Sequence, residues 1–282
     1  MERRSSTGCD GRSEARTQGA PIAGAIGATE DAASGRAARP GDTADVPSGS
    51  PSPYNPISRL YDAWSASVTE DVEFYVEEAR ASGGPVVELA CGTGRIAVPV
   101  AKAGIALIGV DASAGMLAVA REYAAAEGVE LDLREGDMRE PPVTERVPLV
   151  LIPFRSLLHM TTEADRLRAL RAARELLLPG GRLVFDVFAP SAEDVEDTHG
   201  RWLEREPGIF ERADWDEGER TLTLSVRRGE EASTMLLAWL SPAEWRLLLD
   251  RAGFDVEAQW GWFDRRPYDG GEDVVFAATR RD

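Results

Sequence analysis

From residue 86 onward, short apolar runs alternate with amphipathic stretches. Residues 86–90, 106–110, 129–134, 147–153 and 183–188 read as strands. The run at 147–153 is apolar almost throughout, the mark of a central strand covered on both faces. Between them, apolar residues at helical spacing predict helices over 95–103, 114–127 and 162–177. The last carries Leu167, Leu170, Ala173, Leu176 and Leu177 on its inward side. Pro99 is a cost to the first, and Ser113 stands where it can cap the second. This alternation predicts an α/β domain, a parallel sheet with helices on both faces. Upstream, the stretch from Tyr54 to Ala81 holds Leu60, Tyr61, Trp64, Val68, Phe74, Tyr75 and Val76. Its later part predicts a helix with Thr69 as N-cap, stopped by Ser82-Gly83-Gly84-Pro85.

After residue 200 the period changes. Residues 209–215, 221–227 and 234–240 are short β-type runs separated by charged turns such as Asp216-Glu217-Gly218-Glu219. They predict a small antiparallel insertion, a hairpin or three strands, within 201–240. A helix follows from Ser241 as N-cap, with Pro242 at its first position and Gly253 at its end. Residues 256–263 and 274–279 are the last two strands, around Gly270-Gly271.

The chain has 282 residues, 43% of them hydrophobic, which suits one sizeable domain with a tail. Residues 1–50 are rich in Gly, Ala, Ser, Arg and Pro and lack aromatics, so they cannot offset their ordering entropy by burial. A disordered tail over 1–52 and a domain over 53–282 are expected. No apolar run follows the early arginines, so no signal peptide is read. The net charge of −17 argues against nucleic acid and against anionic membrane surfaces; it equally suits an ordinary acidic protein of the cytoplasm. Cys9 and Cys91, His159 and His199 are too few and too scattered for a disulfide framework or a metal site.

The most informative stretch is Val86-Val87-Glu88-Leu89-Ala90-Cys91-Gly92-Thr93-Gly94-Arg95-Ile96-Ala97. Gly92 and Gly94 allow a tight turn and a close ligand approach. The following helix start offers free N–H groups. With Ala97 this is the G-x-G-x-x-A arrangement of a dinucleotide-type fold. Asp111 lies seventeen residues past Gly94, at the end of the second strand, where a ribose-binding acid belongs. It is equally placed to cap the helix over 114–127. Glu88 is a different signal. A strand carboxylate needs a partner when buried, a cationic ligand amino group would be one, and an NAD fingerprint asks for no acid there.

Val-Val-Glu-Leu-Ala-Cys-Gly-Thr-Gly resembles the first motif of the class I S-adenosylmethionine (SAM) dependent methyltransferases, hh(D/E)hxCGTG. The resemblance spans about residues 54–282. It implies a Rossmann-like sheet of seven strands, mostly parallel with an antiparallel last strand, and SAM as cofactor. It implies cofactor contacts from Glu88, Ala90, Cys91, Gly92, Gly94 and Arg95, and from Asp111 and Ala112 at the ribose. Asp137 and the Met138 N–H, in Gly136-Asp137-Met138, would meet the adenine, with Met116 beneath it. Pro153 and Phe154 close the set. A turn aspartate and a core methionine are the plain alternatives for Asp137 and Met116.

Pro153-Phe154-Arg155-Ser156-Leu157-Leu158-His159 resembles the Pro-Phe-Asn-Ser-Leu-x-His run of small-molecule methyltransferases, with Arg155 in the place of asparagine. His159 is a general-base candidate, because its ordinary pKa lies near neutrality; otherwise it packs against or caps the helix over 162–177. Tyr61 and Trp64 resemble the family's N-terminal lid. Tyr61, Trp64, Arg155, His159 and Trp215 are therefore the expected acceptor contacts, with the insertion on the acceptor side. The expected function is methyl transfer from SAM to a small-molecule acceptor, without metal. An NAD(P)-dependent oxidoreductase and a non-catalytic SAM-binding protein are the alternatives. Acceptor identity and oligomeric state are not legible.

Overall fold

The computed structural model describes residues 52–66 and 69–282. The expected tail, apart from Ser52, and Val68 lie outside them. In chain order the elements are α1 (Ser58–Trp64), α2 (Glu70–Ser82), β1 (Val86–Leu89), α3 (Ala97–Lys102), β2 (Leu107–Asp111), α4 (Ala114–Glu127), β3 (Asp132–Glu135) and β4 (Val147–Ile152). There follow α5 (Glu163–Leu176), β5 (Leu177–Phe188), α6 (Ala192–Thr198), β6 (Trp202–Glu206), β7 (Ile209–Asp216), β8 (Thr221–Arg228), β9 (Glu231–Ala238), α7 (Pro242–Ala252), β10 (Phe254–Trp260) and β11 (Asp273–Arg280). Short 3₁₀ turns stand at Asn55–Ile57 and Ser156–His159.

Seven strands form one sheet in the order β10-β11-β5-β4-β1-β2-β3. All pairings are parallel except those of β11, which runs antiparallel to both β5 and β10. Every residue of β1 is buried, and β4 is nearly so, as their apolar sequences require. Side chains alternate across the sheet. Val87, Leu89, Val150 and Ile152 join one core cluster with α5, α7 and the second sheet. Val86, Leu149 and Leu151 join the other, with α2 and α3. Glu88 points to that second side.

Two of the three predicted helix caps are formed. Ser113 accepts from the Met116 N–H at 3.1 Å, and Ser241 forms a reciprocal capping box with Glu244. Thr69 precedes α2 but makes no side-chain cap.

Several boundaries differ from expectation. The insertion is a four-stranded antiparallel sheet, β6-β7-β8-β9, not a hairpin or three strands. β6 was hidden by its charges, since Trp202-Leu203-Glu204-Arg205-Glu206 is an edge strand that buries little. α6 starts at another capping box, Ser191 with Asp194, in a stretch too acidic to show a periodic apolar face. α3 begins two residues late because the turn extends through Ile96. β5 takes in Pro179-Gly180-Gly181 by way of a register shift against β4. No helix among the described residues is long and apolar enough to cross a membrane.

One close approach fixes β2 beneath the turn after β1. A Cβ placed on Gly109 would lie 2.8 Å from Cys91 Sγ and 2.8 Å from Leu133 Cδ2. Gly109→Ala is therefore expected to destabilise the domain by about 1–3 kcal/mol through overpacking. Urea unfolding checks this, and an unchanged midpoint would show that the neighbours yield freely.

Candidate active site

The carboxyl ends of β1, β2 and β4 open onto one crevice, as expected for an open α/β sheet. After Leu89 the backbone turns through positive φ at Ala90 (60°), Gly92 (55°) and Gly94 (83°). A Cβ on Gly92 would meet nothing within 4 Å, so this face of the turn is open. A Cβ on Gly94 would press on Val98 and Ala120 at 3.3–3.4 Å, so that glycine serves helix packing. Cys91 is buried beneath the turn.

Asp111 braces the turn from β2. Its carboxylate accepts from the Gly92 N–H and the Ser113 N–H, each at 2.8 Å. Burial raises its pKa and these two N–H groups pull it back. The capping alternative for Asp111 holds in part: it orders the start of α4, while Ser113 supplies the cap proper, and Asp111 is partly buried.

Glu88 is 2% exposed, and its Oε2 is buried with no hydrogen-bond partner among the described residues. Burial pushes its pKa well above the usual carboxylate range; Arg95 opposes this, and Asp111 and Asp71 add to it. A buried acid left half-satisfied is an unfinished site. Arg95 is held elsewhere, by a two-point bridge to Asp71 of α2 at 2.7 and 2.6 Å and by stacking 4.6 Å over Phe154. Thr93 donates to Asp62 of α1 at 2.5 Å.

At the far end of the crevice Asp137 is gripped by Arg139 at 2.6–3.0 Å, and Arg139 reaches on to Asp165 at 2.8 Å. Partial burial pushes the Asp137 pKa up, but Arg139 outweighs it and holds the carboxyl below its ordinary value. Met116 and Met138 are both buried, Gly136 leaves no space for a Cβ against Pro142, and Ala112 is exposed.

The β4 end is built differently. Phe154 and Arg155 are consecutive non-glycine residues in the left-handed region, at φ 55° and 59°, a strained arrangement. Asp186 of β5 holds it. It accepts from the Phe154 N–H at 2.7 Å, the Arg155 N–H at 3.0 Å and the Tyr75 hydroxyl at 2.5 Å. Burial pushes Asp186 up to about 6, although Tyr75 pulls it down. Arg155 bridges to Asp273 at 2.5 Å and stacks 4.8 Å over Phe188.

A cavity lies beyond this turn. Tyr54, Tyr61, Trp64 and Ser65 line it from the N-terminal segment. Phe154, Arg155 and His159 line it from the loop after β4, and Leu224 and Leu237 from the second sheet. Tyr61 meets Tyr54, Trp64 and Phe154 edge to face at 5.6–6.2 Å. Trp64 donates to Glu211 of β7 at 2.9 Å. Burial pushes His159 down to about 4, so its ring is neutral. It does not cap α5; Thr162 does.

Four of the five expected acceptor residues thus share one cavity. Trp215 does not. It is packed between Phe188 and Trp239 and donates to Thr198 at 2.8 Å, because its strand position faces the main domain's core. The sequence reading missed Tyr54, Leu224 and Leu237 in the wall and Asp186 and Asp71 behind it. Asp186 had a visible signal, a lone acid in an apolar strand. Tyr54 had none beyond its place before the lid. Among the described residues no cluster of His, Cys, Asp or Glu is arranged to hold a metal ion.

Residues 86–181 match a family described as a methyltransferase domain. The CcbJ methyltransferase from Streptomyces caelestis superposes with a TM-score of 0.72 over 82% of this chain and 99% of that one, at 25% identity. Residues 86–181 are thus similar to a methyltransferase domain, and in sequence and fold the chain resembles the class I SAM-dependent methyltransferases. A methyltransferase relative from Geobacillus sp. (strain WCH70) is 33% identical over 46% of this chain and 51% of its own length. The chain spans about half or less of the length of the first curated relatives it matches. The glycopeptide N-methyltransferase MtfA in complex with SAM is similar at 26% identity, with a TM-score of 0.51 over 73% of this chain and 87% of that one. SAM is the cofactor of this family, and the site fits it on its own chemistry. SAM carries a sulfonium and an ammonium group, and Glu88 offers a buried carboxylate oxygen that lacks a partner beside an open glycine turn.

Two outcomes follow. Asp111→Ala is expected to weaken SAM binding by about 1.5–3 kcal/mol, ten- to a hundredfold, read by calorimetry; unchanged affinity would remove Asp111 from the cofactor. Asp186 gives a pH signature. Its pKa is about 6 in the folded chain and near 3.9 unfolded. Its proton is therefore retained on folding between these values, and the stability it contributes below pH 4 is lost as pH rises through 6. Wild type minus Asp186→Asn should fall by about 3 kcal/mol from pH 4 to 7. A flat or rising difference in urea titrations would refute the assignment.

Proposed function

We propose that this methyltransferase transfers a methyl group from SAM to a small-molecule acceptor held in the aromatic cavity beyond Phe154. The observation that carries the reading is the shared wall. Phe154 lies under Arg95, which follows the glycine turn, and the same Phe154 lines the cavity with Tyr61 and Trp64. Cofactor side and acceptor side are thus adjoining rooms.

When bound, SAM supplies a methyl group already activated on sulfur, so the protein's part is orientation and exclusion of water. Glu88, the Gly92 turn and Asp111 serve the cofactor side, with Asp137 and Met138 proposed at the adenine. The aromatic ring edges of Tyr54, Tyr61, Trp64 and Phe154 exclude water on the acceptor side. Leu224 and Leu237 come from β8 and β9, which supports an acceptor-side role for the insertion over 201–240.

Calorimetry with SAM and with NADH tests the cofactor against the oxidoreductase alternative. Turnover with a panel of hydroxyl and amine acceptors tests the reaction against simple binding. SAM binding without turnover on any of them would sink the catalytic reading. Trp64→Ala is expected to lower unfolding free energy by about 3–5 kcal/mol, because Trp64 is a buried wall residue and the partner of a buried Glu211. Trp64→Phe keeps the wall, loses the N–H···O bond alone and should cost about 1–2 kcal/mol. Thermal and urea unfolding of the two variants separate these terms.

A further inference from the structure

Several polar groups on the cavity wall are engaged within the protein. The Tyr54 hydroxyl and His159 Nε2 are paired at 2.8 Å. The Ser65 hydroxyl donates to the Tyr61 carbonyl at 3.0 Å, and the Trp64 N–H donates to Glu211 at 2.9 Å. Two residues keep hydrogens that no acceptor among the described residues takes. One is Tyr61, whose ring packs edge to face on its neighbours while its hydroxyl makes no hydrogen bond with them. The other is Arg155. A guanidinium spreads five N–H bonds over three nitrogens, and here Nη2 alone is used, on Asp273 at 2.5 Å. The stack 4.8 Å over Phe188 takes the face of the guanidinium, whereas its N–H bonds lie in the plane. Tyr61 and Arg155 both line the cavity, and neither has a polar atom sealed from solvent without a partner. The Arg155 side chain is only 11% exposed, so its free N–H groups are reached from the cavity.

Charge decides what these donors suit. The Arg155 cation is already matched by Asp273, and Asp186 lies against its backbone N–H at 3.0 Å. A ligand carboxylate would be a third negative group around one guanidinium. The rest of the wall is largely rings and leucines, where excess charge is costly. A carbonyl oxygen brings two acceptor lone pairs and no charge.

We propose that Arg155 and the Tyr61 hydroxyl hold the methyl acceptor by a neutral carbonyl oxygen, so that the cavity selects uncharged ketones, esters or amides. The inference rests on the reading of this cavity as the acceptor site. The carbonyl is a handle and not the reacting atom, because an oxygen whose lone pairs are taken by donors is a poor nucleophile. The atom to be methylated is a separate group of the same molecule. Tyr61 and Arg155 thus set specificity and take no part in moving the methyl group. An analogue without the carbonyl leaves both donors unpaired, and sites of this kind reject such analogues strongly.

Acetophenone, α-methylstyrene and benzoate are the probes, alike in ring and shape, with C=O, C=CH₂ or carboxylate at the head. Binding to the ligand-free protein is read from the chemical shifts of Trp64 and Phe154. In wild type, acetophenone should bind at least about tenfold tighter than α-methylstyrene, the worth of one hydrogen bond, and tighter than benzoate. Tyr61→Phe removes a hydroxyl with no protein partner. Its melting temperature should stay at the wild-type value while the acetophenone preference falls to about threefold or less. Arg155→Met keeps the apolar stem, removes the N–H groups and should lower the preference likewise; if it fails to fold, Tyr61→Phe decides. The proposal is overturned by absent acetophenone shifts, by equal binding of acetophenone and α-methylstyrene to wild type, by tighter binding of benzoate, or by a full preference retained in either folded variant. None of these measurements uses SAM or turnover, so a failure of the methyl-transfer reading would appear separately, in the calorimetry and the acceptor panel.

Discussion

Asp186 holds two consecutive left-handed residues in place, and the β4 half of the crevice follows from that. Phe154 and Arg155 each carry strain of about 1–3 kcal/mol, and an unsupported loop would relax. One buried carboxylate takes both of their N–H groups and the Tyr75 hydroxyl as well. It thereby joins α2, the loop after β4 and β5. The strained turn aims Phe154 back at Arg95 and sends Arg155 across Phe188 to Asp273. Neither direction is open to an ordinary extended exit from β4. Burial makes the arrangement costly for a charge, which is why the carboxyl is pushed up to about 6; three donors on two oxygens are the compensation.

The same logic, run the other way, describes Glu88. It sits on a central strand, out of water, with one oxygen unpaired. The nearby cation, Arg95, is held in a two-point bridge to Asp71. A fold that had only to be stable would have placed an apolar residue at this position, since a buried unsatisfied polar atom costs about 1–3 kcal/mol. The cost falls where a ligand bearing positive charge would remove it, which is the usual relation between local strain and function.

What could be read from the sequence was what is local. The glycine turn, the acid after β2, the Ser113 and Ser241 caps and the apolar runs of β1 and β4 all depend on neighbours a few residues away. Tyr61, Trp64, Arg155 and His159 of the cavity wall were found by their place next to such signals. The unread part is long-range. Asp186 and Phe154 are 32 residues apart and Asp186 and Tyr75 are 111 apart, and nothing in either segment announces the other. β6 was missed because an edge strand need not be apolar. Trp215 was misplaced because alternation shows that it shares a face with Ala213 and, across the ladder, with Leu224 and Leu237, but not how far along that face the cavity extends.

The N-terminal segment shows how the two halves of the crevice are closed together. Asn55 Oδ1 accepts from the Ser113 hydroxyl at 2.7 Å and the Gly115 N–H at 3.0 Å, at the start of α4. The adjacent Tyr54 meets His159 after β4, and Ser233 of β9 donates to the Pro53 carbonyl. Beneath these, Ile57, Leu60 and Trp64 are fully or almost fully buried. The two sets of contacts differ in strength. Burial of such side chains stabilises by about 1.5–3 kcal/mol each, whereas each hydrogen bond contributes about 0.5–1.5 kcal/mol net and can be exchanged for water. Residues 57–64 therefore belong to the core. Ahead of them Tyr54 combines its polar contact with ring packing on Tyr61 and His159, and Asn55 is exposed and adds polar contacts.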